Sequence, residues 1–459
     1  MSDFTVVDVN GLNGALALGA VNAGGRLLYR TGYLNLGQKL IARNAAMWGP
    51  DWEDLIDVKG KGAPETWPLP QKADVVVAVP PCSGFSVMTG KGGPGAGTGS
   101  AQQRSASHPS NDCMWDSARY VARHAPEVYL FESVTGAFKI GRELMVALRD
   151  EVERISGEKY TLTHWLHDGC VMGAPTSRQR YMFVITRDDP IAGSRPFEVT
   201  PAEEYAVENF TTVWDAIGDL EDLVTPQMED QPVPTPGAGG DWAHARQRAD
   251  GLVDGAAYYS GPTWSARIYK TFEVASRLGV PWANGSGQGQ ALGMIYQVGG
   301  RDALIEVGGP DFAERMIKVG FSLGPYSSRR ECPDAMHNLI AGGGTGGHIH
   351  PTRDRFMTYR ELARIQGWPD ELRIDIDKKI YGKENIEAVW GKAVGCLVAN
   401  HAGSEVAQFV TGQLGLGPKT TGELIGDREW LIDELEHSRR LRRESARVKR
   451  AHILEAGYA

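Results

Sequence analysis

No stretch of the 459 residues stays apolar for the roughly 18 positions that a membrane-crossing helix needs, so no transmembrane segment is expected. The start, Met1-Ser2-Asp3-Phe4-Thr5, lacks a basic region followed by an apolar run, so no signal peptide is expected. Cysteine is scarce: Cys82, Cys113, Cys170, Cys332 and Cys396 are odd in number and too far apart for a zinc-ligand spacing. That pattern points to a reduced, cytoplasmic chain with no metal. Positive charge is also short. A net charge of −9 excludes a uniformly basic nucleic-acid binder, though not a local basic cleft. No internal repeat is visible. What remains, 42% hydrophobic and 23% charged residues, describes an ordinary globular protein, long enough for about two domains.

The most informative stretch is Asp74-Val-Val-Val-Ala-Val-Pro-Pro-Cys-Ser-Gly-Phe-Ser86. Its apolar run reads as a buried parallel strand, stopped by two prolines. Cys82 then stands on the turn where open α/β sheets place their chemistry, as a candidate nucleophile. The alternative is a small buried hydrophobe. Upstream, residues 4–9 read as a first strand, followed by the glycine turn Asn10-Gly-Leu-Asn-Gly14 and a helix from Ala15 to Ala23. Such an entry opens many cofactor-binding doubly wound sheets. A helix over Cys113–His124 and a strand over Val128–Val134 follow, the latter placing Glu132 at its carboxyl end. Strands at 160–165 and 180–186 flank a turn at Gly173-Ala-Pro175. Arg178 and Arg180, two apart, share one face if the strand starts there, and could clamp a polar base edge.

From about 188 to 345 the strand–helix alternation fades and Gly, Pro and Asp rise, as in Pro232-Val-Pro-Thr-Pro-Gly-Ala-Gly-Gly240. This reads as an irregular insertion. Glycines at 90–99 suit either a linker or a mobile lid. Order returns at residues 357–369, where Thr358 and Glu361 form a capping box and Gly367 with Pro369 a stop. A helix over Cys396–Leu414 follows. A charged helix over Glu429–Glu455 then carries Arg439, Arg440, Arg442, Arg443, Arg447, Lys449 and Arg450, best read as a solvated face, with phosphate contact the alternative.

Taken in order, these pieces resemble the cytosine-C5 DNA methyltransferase family over roughly residues 5–187 and 348–412. Pro81-Cys82 with Phe85-Ser86 looks like the family's Pro-Cys-Gln-x-Phe-Ser loop, with Ser83 for glutamine. Glu132-Ser133-Val134 looks like its Glu-Asn-Val. Gly173-Ala-Pro-Thr-Ser-Arg178-Gln-Arg180 looks like its Gly-Val-Pro-Gln-Ser-Arg-Glu-Arg. Arg355-Phe-Met-Thr358-Tyr-Arg-Glu361-Leu-Ala-Arg364-Ile-Gln366-Gly367-Trp-Pro369 is similar to its Arg-x-Leu-Thr-Pro-Arg-Glu-x-Ala-Arg-Leu-Gln-Gly-Phe-Pro.

The resemblance implies an α/β fold: a doubly wound, Rossmann-like methyltransferase sheet, a smaller irregular target-recognition domain, and a C-terminal helix. The implied divisions are a catalytic part at 1–187, the target-recognition domain at 188–385, a catalytic return segment at 386–415 and a charged tail at 416–459. Cys82 becomes the thiolate adding to C6 of a flipped cytosine, Glu132 the holder of the N3/N4 edge, and Arg178 and Arg180 the O2 contacts. Ser83, Phe85, Ser86, Arg355 and Thr358 are the implied substrate contacts. Asp8, Asn10, Gly11, Asn13, Gly14, Asp57, Pro80, Lys392, Ala393 and Val394 are the implied contacts to S-adenosylmethionine.

The donor side matches poorly. The family's Asp-x-Phe-x-Gly-x-Gly-Gly appears as Asp8-Val-Asn-Gly11-Leu-Asn-Gly14-Ala15. Its ribose carboxylate falls near Gly32, and Lys392 replaces its late asparagine. A methylenetetrahydrofolate donor yielding 5-hydroxymethylcytosine is therefore an alternative, as are an inactive DNA-binding relative and an RNA cytosine methyltransferase. The expected partner is double-stranded DNA, without membrane contact. The chain is expected to be a monomer of a bacterial or phage-infected cell, compatible with a restriction–modification role.

Overall fold

The apolar runs become a seven-stranded sheet. The computed structural model describes residues 4–32, 37–55, 63–82, 84–85, 106–194, 196–197, 199–220, 264–323, 328–337, 348–374, 395–412 and 428–457. The sheet strands are β1 (Phe4–Val9), β2 (Gly25–Thr31), β3 (Glu53–Asp54), β4 (Val75–Ala78), β5 (Val128–Ser133), β6 (Tyr160–Asp168) and β7 (Gln179–Arg187). They lie in the order β3-β2-β1-β4-β5-β7-β6. β1 to β5 are mutually parallel, and β7 is antiparallel to both β5 and β6. Every residue of β4 and β5 is buried, which is why these strands read as apolar runs and not as alternating patterns.

The helices are α1 (Ala15–Asn22), α2 (Gln38–Arg43), α3 (Asp112–His124), α4 (Thr135–Ile140), α5 (Arg142–Ser156), α6 (Val213–Ile217), α7 (Trp264–Arg277), α8 (Gln288–Gly308), α9 (Pro310–Lys318), α10 (Tyr359–Ile365), α11 (Cys396–Val410) and α12 (Arg428–Glu455). The chain divides into two units. The first comprises Met1–Met172, Arg178–Val207 and Ala393–Ser438. The second comprises Gly173–Ser177, Glu208–Lys392 and Arg439–Ala459.

In the first unit the strand order reverses between β1 and β4. The chain adds β2 and β3 on one side of β1, then β4 and β5 on the other. Carboxyl ends of strands at such a reversal open the crevice in which doubly wound sheets bind ligands. Here those ends lead into the glycine turn after β1 and into Pro80-Pro81-Cys82 after β4. α11 returns from late in the chain to pack on α1. A Cβ on Gly19 would lie 2.0 Å from the Ala399 carbonyl oxygen, and one on Gly403 would lie 2.2 Å from the Gly19 carbonyl carbon. The two helices touch backbone to backbone, and glycine at both positions is what allows it.

The second unit holds α6 to α10 and a small parallel pair, β8 (Arg329–Arg330) with β9 (His348–Ile349). Composition suggests irregular chain here, yet α7, α8 and α9 lie inside the insertion. Ile268, Phe272 and Ala275 are buried at helical spacing on α7, a periodicity that the Gly- and Pro-rich flanks obscure. Val274, Leu292, Ile295, Leu304, Val307 and Met316 form the core of this unit. The capping box of α10 is present: Thr358 Oγ1 accepts the Glu361 amide (3.2 Å) and Glu361 Oε2 accepts the Thr358 amide (2.7 Å). Gly367, at φ 76°, ends the turn that follows. Within α12, Arg439, Arg442, Arg443, Arg447 and Arg450 are exposed, whereas Leu441 and Ser445 are buried.

Candidate active site

The reacting end of the site is assembled by topology. Parallel β4 delivers Cys82 just past its carboxyl end. Neighbouring β5 delivers Glu132 one residue before its own. Because β7 is antiparallel to β5, the amino end of β7 arrives at that same edge, with Glu132 opposite Met182 in register. Arg178 and Arg180 therefore reach Glu132 and Cys82. Only Arg180 lies within β7, which begins at Gln179. Arg180 Nε pairs with Glu132 Oε1, and Arg180 Nη1 donates to the Gln179 carbonyl (2.8 Å). Glu132, Arg178 and Arg180 are all buried, and Cys82 is half-buried.

The electrostatics follow from this crowding. Burial pushes the Cys82 thiol up to about 11, and the Glu132 carboxylate pushes the same way against Arg180 and Arg178. Burial also raises Glu132, opposed by Arg180 and then Arg178. Arg178 is lowered by burial and by Arg180. Two arginines thus face one carboxyl group and one thiol that burial holds toward its neutral form. Such a site favours a neutral ligand that gains negative charge as it reacts.

Three expected substrate contacts are buried and engaged within the protein itself. Phe85 is fully buried in the core of the sheet unit, and its backbone presses on Gly136 so closely that a Cβ there would lie 2.1 Å from the Phe85 carbonyl oxygen. It is a packing residue. Arg355 is buried and bidentate to Glu361, Nη1 to Oε2 at 2.9 Å and Nη2 to Oε1 at 2.7 Å. Thr358 is buried and caps α10. Both serve the fold of the second unit. Ser83 and Ser86 lie outside the described residues, as does the glycine segment 90–99.

The donor end also departs from the resemblance. Asp8 is fully buried and accepts from Arg30 Nε at 2.8 Å. Burial raises its carboxyl against the pull of Arg30. A Cβ on Gly11 would fall 1.9 Å from Asp8 Oδ1, so only glycine fits beside that pair. Asn10 takes a left-handed conformation (φ 58°) and its amide donates to the Thr31 carbonyl (2.7 Å). A Cβ on Gly32 would meet Asn10 Oδ1 at 2.9 Å and Asn10 Cα at 3.0 Å. Position 32 therefore has no room for a carboxylate, and the ribose contact that the resemblance implies does not fit there. Asp54 lies on β3 opposite Arg30 in register. Asn13 Oδ1 accepts the Ala15 amide (3.2 Å), and the Gly14 carbonyl accepts from Trp48 Nε1 (2.9 Å). Pro80 is buried beyond β4. Among the described residues, Asp8 Oδ1 and Arg30 Nη1 are buried with no hydrogen-bond partner, one acceptor and one donor beside the glycine turn. Asp57, Lys392, Ala393 and Val394 lie outside the described residues.

Sequence reasoning passed over two groups with cation-ligand chemistry: His167, His401 and Glu405, and Glu331, His337 and His348. In the first, the Trp165 indole N–H donates to His167 Nε2 at 2.6 Å, taking the lone pair a cation would use. In the second, Glu331 Oε1 lies 3.0 Å from His348 Nδ1, and Lys449 supplies a further positive neighbour. It also passed over Asp168, at the end of β6, whose Oδ1 accepts the Arg178 amide at 2.8 Å.

The family model for C-5 cytosine-specific DNA methylases matches residues 14–408. The Type II methyltransferase M.DdeI of Desulfomicrobium norvegicum is 24% identical over 307 residues, which cover 65% of this chain. The chain spans 63% of that relative's length. A crystal structure described as a DNA modification methyltransferase encoded within an E. coli prophage aligns with 89% of this chain and 99% of its own, at 18% identity and a TM-score of 0.53, a likeness of fold. The Entamoeba histolytica methyltransferase EhMeth aligns over 90% of this chain and 98% of its own, at 11% identity and a TM-score of 0.46.

Proposed function

This chain belongs to the C-5 cytosine-specific DNA methylase family, and from that premise we propose that it transfers a one-carbon unit to C5 of a cytosine flipped out of double-stranded DNA. The observation that carries the reading is the cluster of Cys82, Glu132, Arg178 and Arg180 at one sheet edge, two arginines beside one carboxyl group and one thiol. C5 of an intact cytosine is a poor nucleophile. As Cys82 gives up its S–H proton to solvent, addition of the sulfur to C6 forms a C–S bond, breaks the aromaticity and pushes an electron pair toward C5 and the N3/O2 side. Glu132 is placed to hold the N3/N4 edge and to favour protonation at N3 as charge builds, and Arg178 and Arg180 face O2. After transfer, loss of the C5 proton lets the C–S pair return to sulfur and frees Cys82. The target base is inaccessible within a duplex, so it must be extruded. The second unit is the part we assign to reading flanking sequence.

A bound donor supplies the electrophilic carbon. S-adenosylmethionine is the default. Methylenetetrahydrofolate, giving 5-hydroxymethylcytosine, is a second reading, favoured by the Asp8–Arg30 pair and the closed position at Gly32. The deciding experiment is nucleoside mass spectrometry of DNA and RNA from cells expressing the chain beside a Cys82→Ala control. 5-Methylcytosine in DNA supports the default, and a hydroxymethylated base supports the folate donor. Modified RNA alone moves the substrate. Unchanged modification in Cys82→Ala sinks the nucleophile assignment.

A further inference from the structure

We propose that Glu434 and Ser438, on a C-terminal helix lying beyond the family match at 14–408, are positioning residues that fix Arg178 in the active site. The proposal rests on the base chemistry just described. The last two residues of β6, His167 and Asp168, are both held by this helix. Ser438 Oγ donates to Asp168 Oδ2 at 2.7 Å, and the other oxygen of that carboxylate accepts the Arg178 amide at 2.8 Å. One turn earlier on α12, Glu434 Oε1 accepts the Asp168 amide at 2.6 Å, and Oε2 lies 2.9 Å from His167 Nδ1. Tyr205 adds a third bond, its hydroxyl donating to Glu434 Oε2 at 2.7 Å.

Glu434 and Ser438 are i and i+4, so they share a helix face, and both are buried. A buried carboxylate holding three hydrogen bonds is a rigid anchor. Here the anchor fixes both the backbone and the ring at the end of β6. Asp168 passes that constraint across the hairpin to the backbone of Arg178, whose guanidinium lies beside Cys82 and Glu132. Arg178 itself immediately precedes β7, which begins at Gln179. The helix reaches it through Asp168. Neither residue touches the reacting atoms; they act through Asp168.

The test uses the full-length chain and a readout that needs no donor. Thiolate addition at C6 followed by protonation at C5 exchanges the C5 hydrogen with water, so DNA carrying [5-³H]cytosine releases tritium. Ser438→Ala is expected to slow release at saturating DNA about tenfold or more, the scale of a lost hydrogen bond to a charged group. DNA half-saturation is expected to stay within about twofold, and Ser438→Thr to restore the rate. If Ser438→Ala fails to fold, as judged by its melting transition, Glu434→Gln carries the same expectation. A well-folded Ser438→Ala or Glu434→Gln with the wild-type rate overturns the proposal. So does a loss shared equally by rate and affinity, or one that threonine does not rescue. Wild-type protein that releases no tritium would instead remove the base chemistry on which the proposal stands.

Discussion

Cys82 should behave as a neutral thiol in the free protein until well above pH 9. Burial and the Glu132 carboxylate outweigh Arg180 and Arg178 and carry the thiol up to about 11. At pH 8 such a group is ionised to about one part in a thousand, whereas a free cysteine near 8.5 is about one-quarter thiolate. Alkylation of Cys82 by iodoacetamide should then run roughly two hundred times slower than that of a free thiol at pH 8, rising about tenfold per unit. Mass spectrometry of the Cys82 peptide across pH 6 to 11 measures this directly. Glu132→Gln removes one upward push and leaves both arginines, so its inflection should move down even as turnover falls. The sign for stability is also fixed. Folding favours the neutral thiol, so this contribution is complete below about pH 9 and is lost as pH rises toward 11. An inflection below 8.5 in the wild type, or an upward move in Glu132→Gln, would refute the reasoning. It would mean that the arginines dominate.

Other tests bear on the frame that holds the site. Gly403→Ala should destabilise by about 1–3 kcal/mol or more in urea titrations, because the added methyl meets the Gly19 backbone. Arg30→Ala leaves the buried carboxylate of Asp8 without its cation and should cost about 3–5 kcal/mol, whereas Arg30→Ala combined with Asp8→Asn should recover part of it. Thr358→Ala should cost about 1 kcal/mol by loss of the α10 cap, read as a shift in thermal midpoint.

The succession of strands and the meeting of Cys82, Glu132, Arg178 and Arg180 at one edge were legible because each sits at a place with a local signature. The apolar run and double proline mark the end of β4, and the Arg-x-Arg pair marks the start of β7. The capping box of α10 was legible for the same reason, since Thr358 and Glu361 are three residues apart. What the signature does not tell is where a side chain is already committed. Arg355 and Thr358 look like substrate contacts in a motif, and the structure commits both to Glu361. Phe85 follows Cys82 closely in sequence, but the turn directs it into the core. The Asp8–Arg30 pair was hidden because Arg30 lies in a strand whose pattern reads as ordinary β. The link from Ser438 to Asp168 crosses 270 positions. Its one local trace is the spacing Glu434, Ser438, Leu441, Ser445, which is the inward face of a helix that otherwise reads as charge.

The first unit is discontinuous, drawing on residues 1–172, 178–207 and 393–438. That has a consequence for how the protein is born. Strands β1 to β7 leave the ribosome long before α11, which covers α1, or the start of α12, which braces the end of β6. The nascent sheet must wait, with the bare face of α1 unpaired, while the whole insertion is translated. Long-range closure of this kind is slow and exposes aggregation-prone surface. Chains stopped before residue 393 should therefore lack the cover on α1 and the brace on the end of β6.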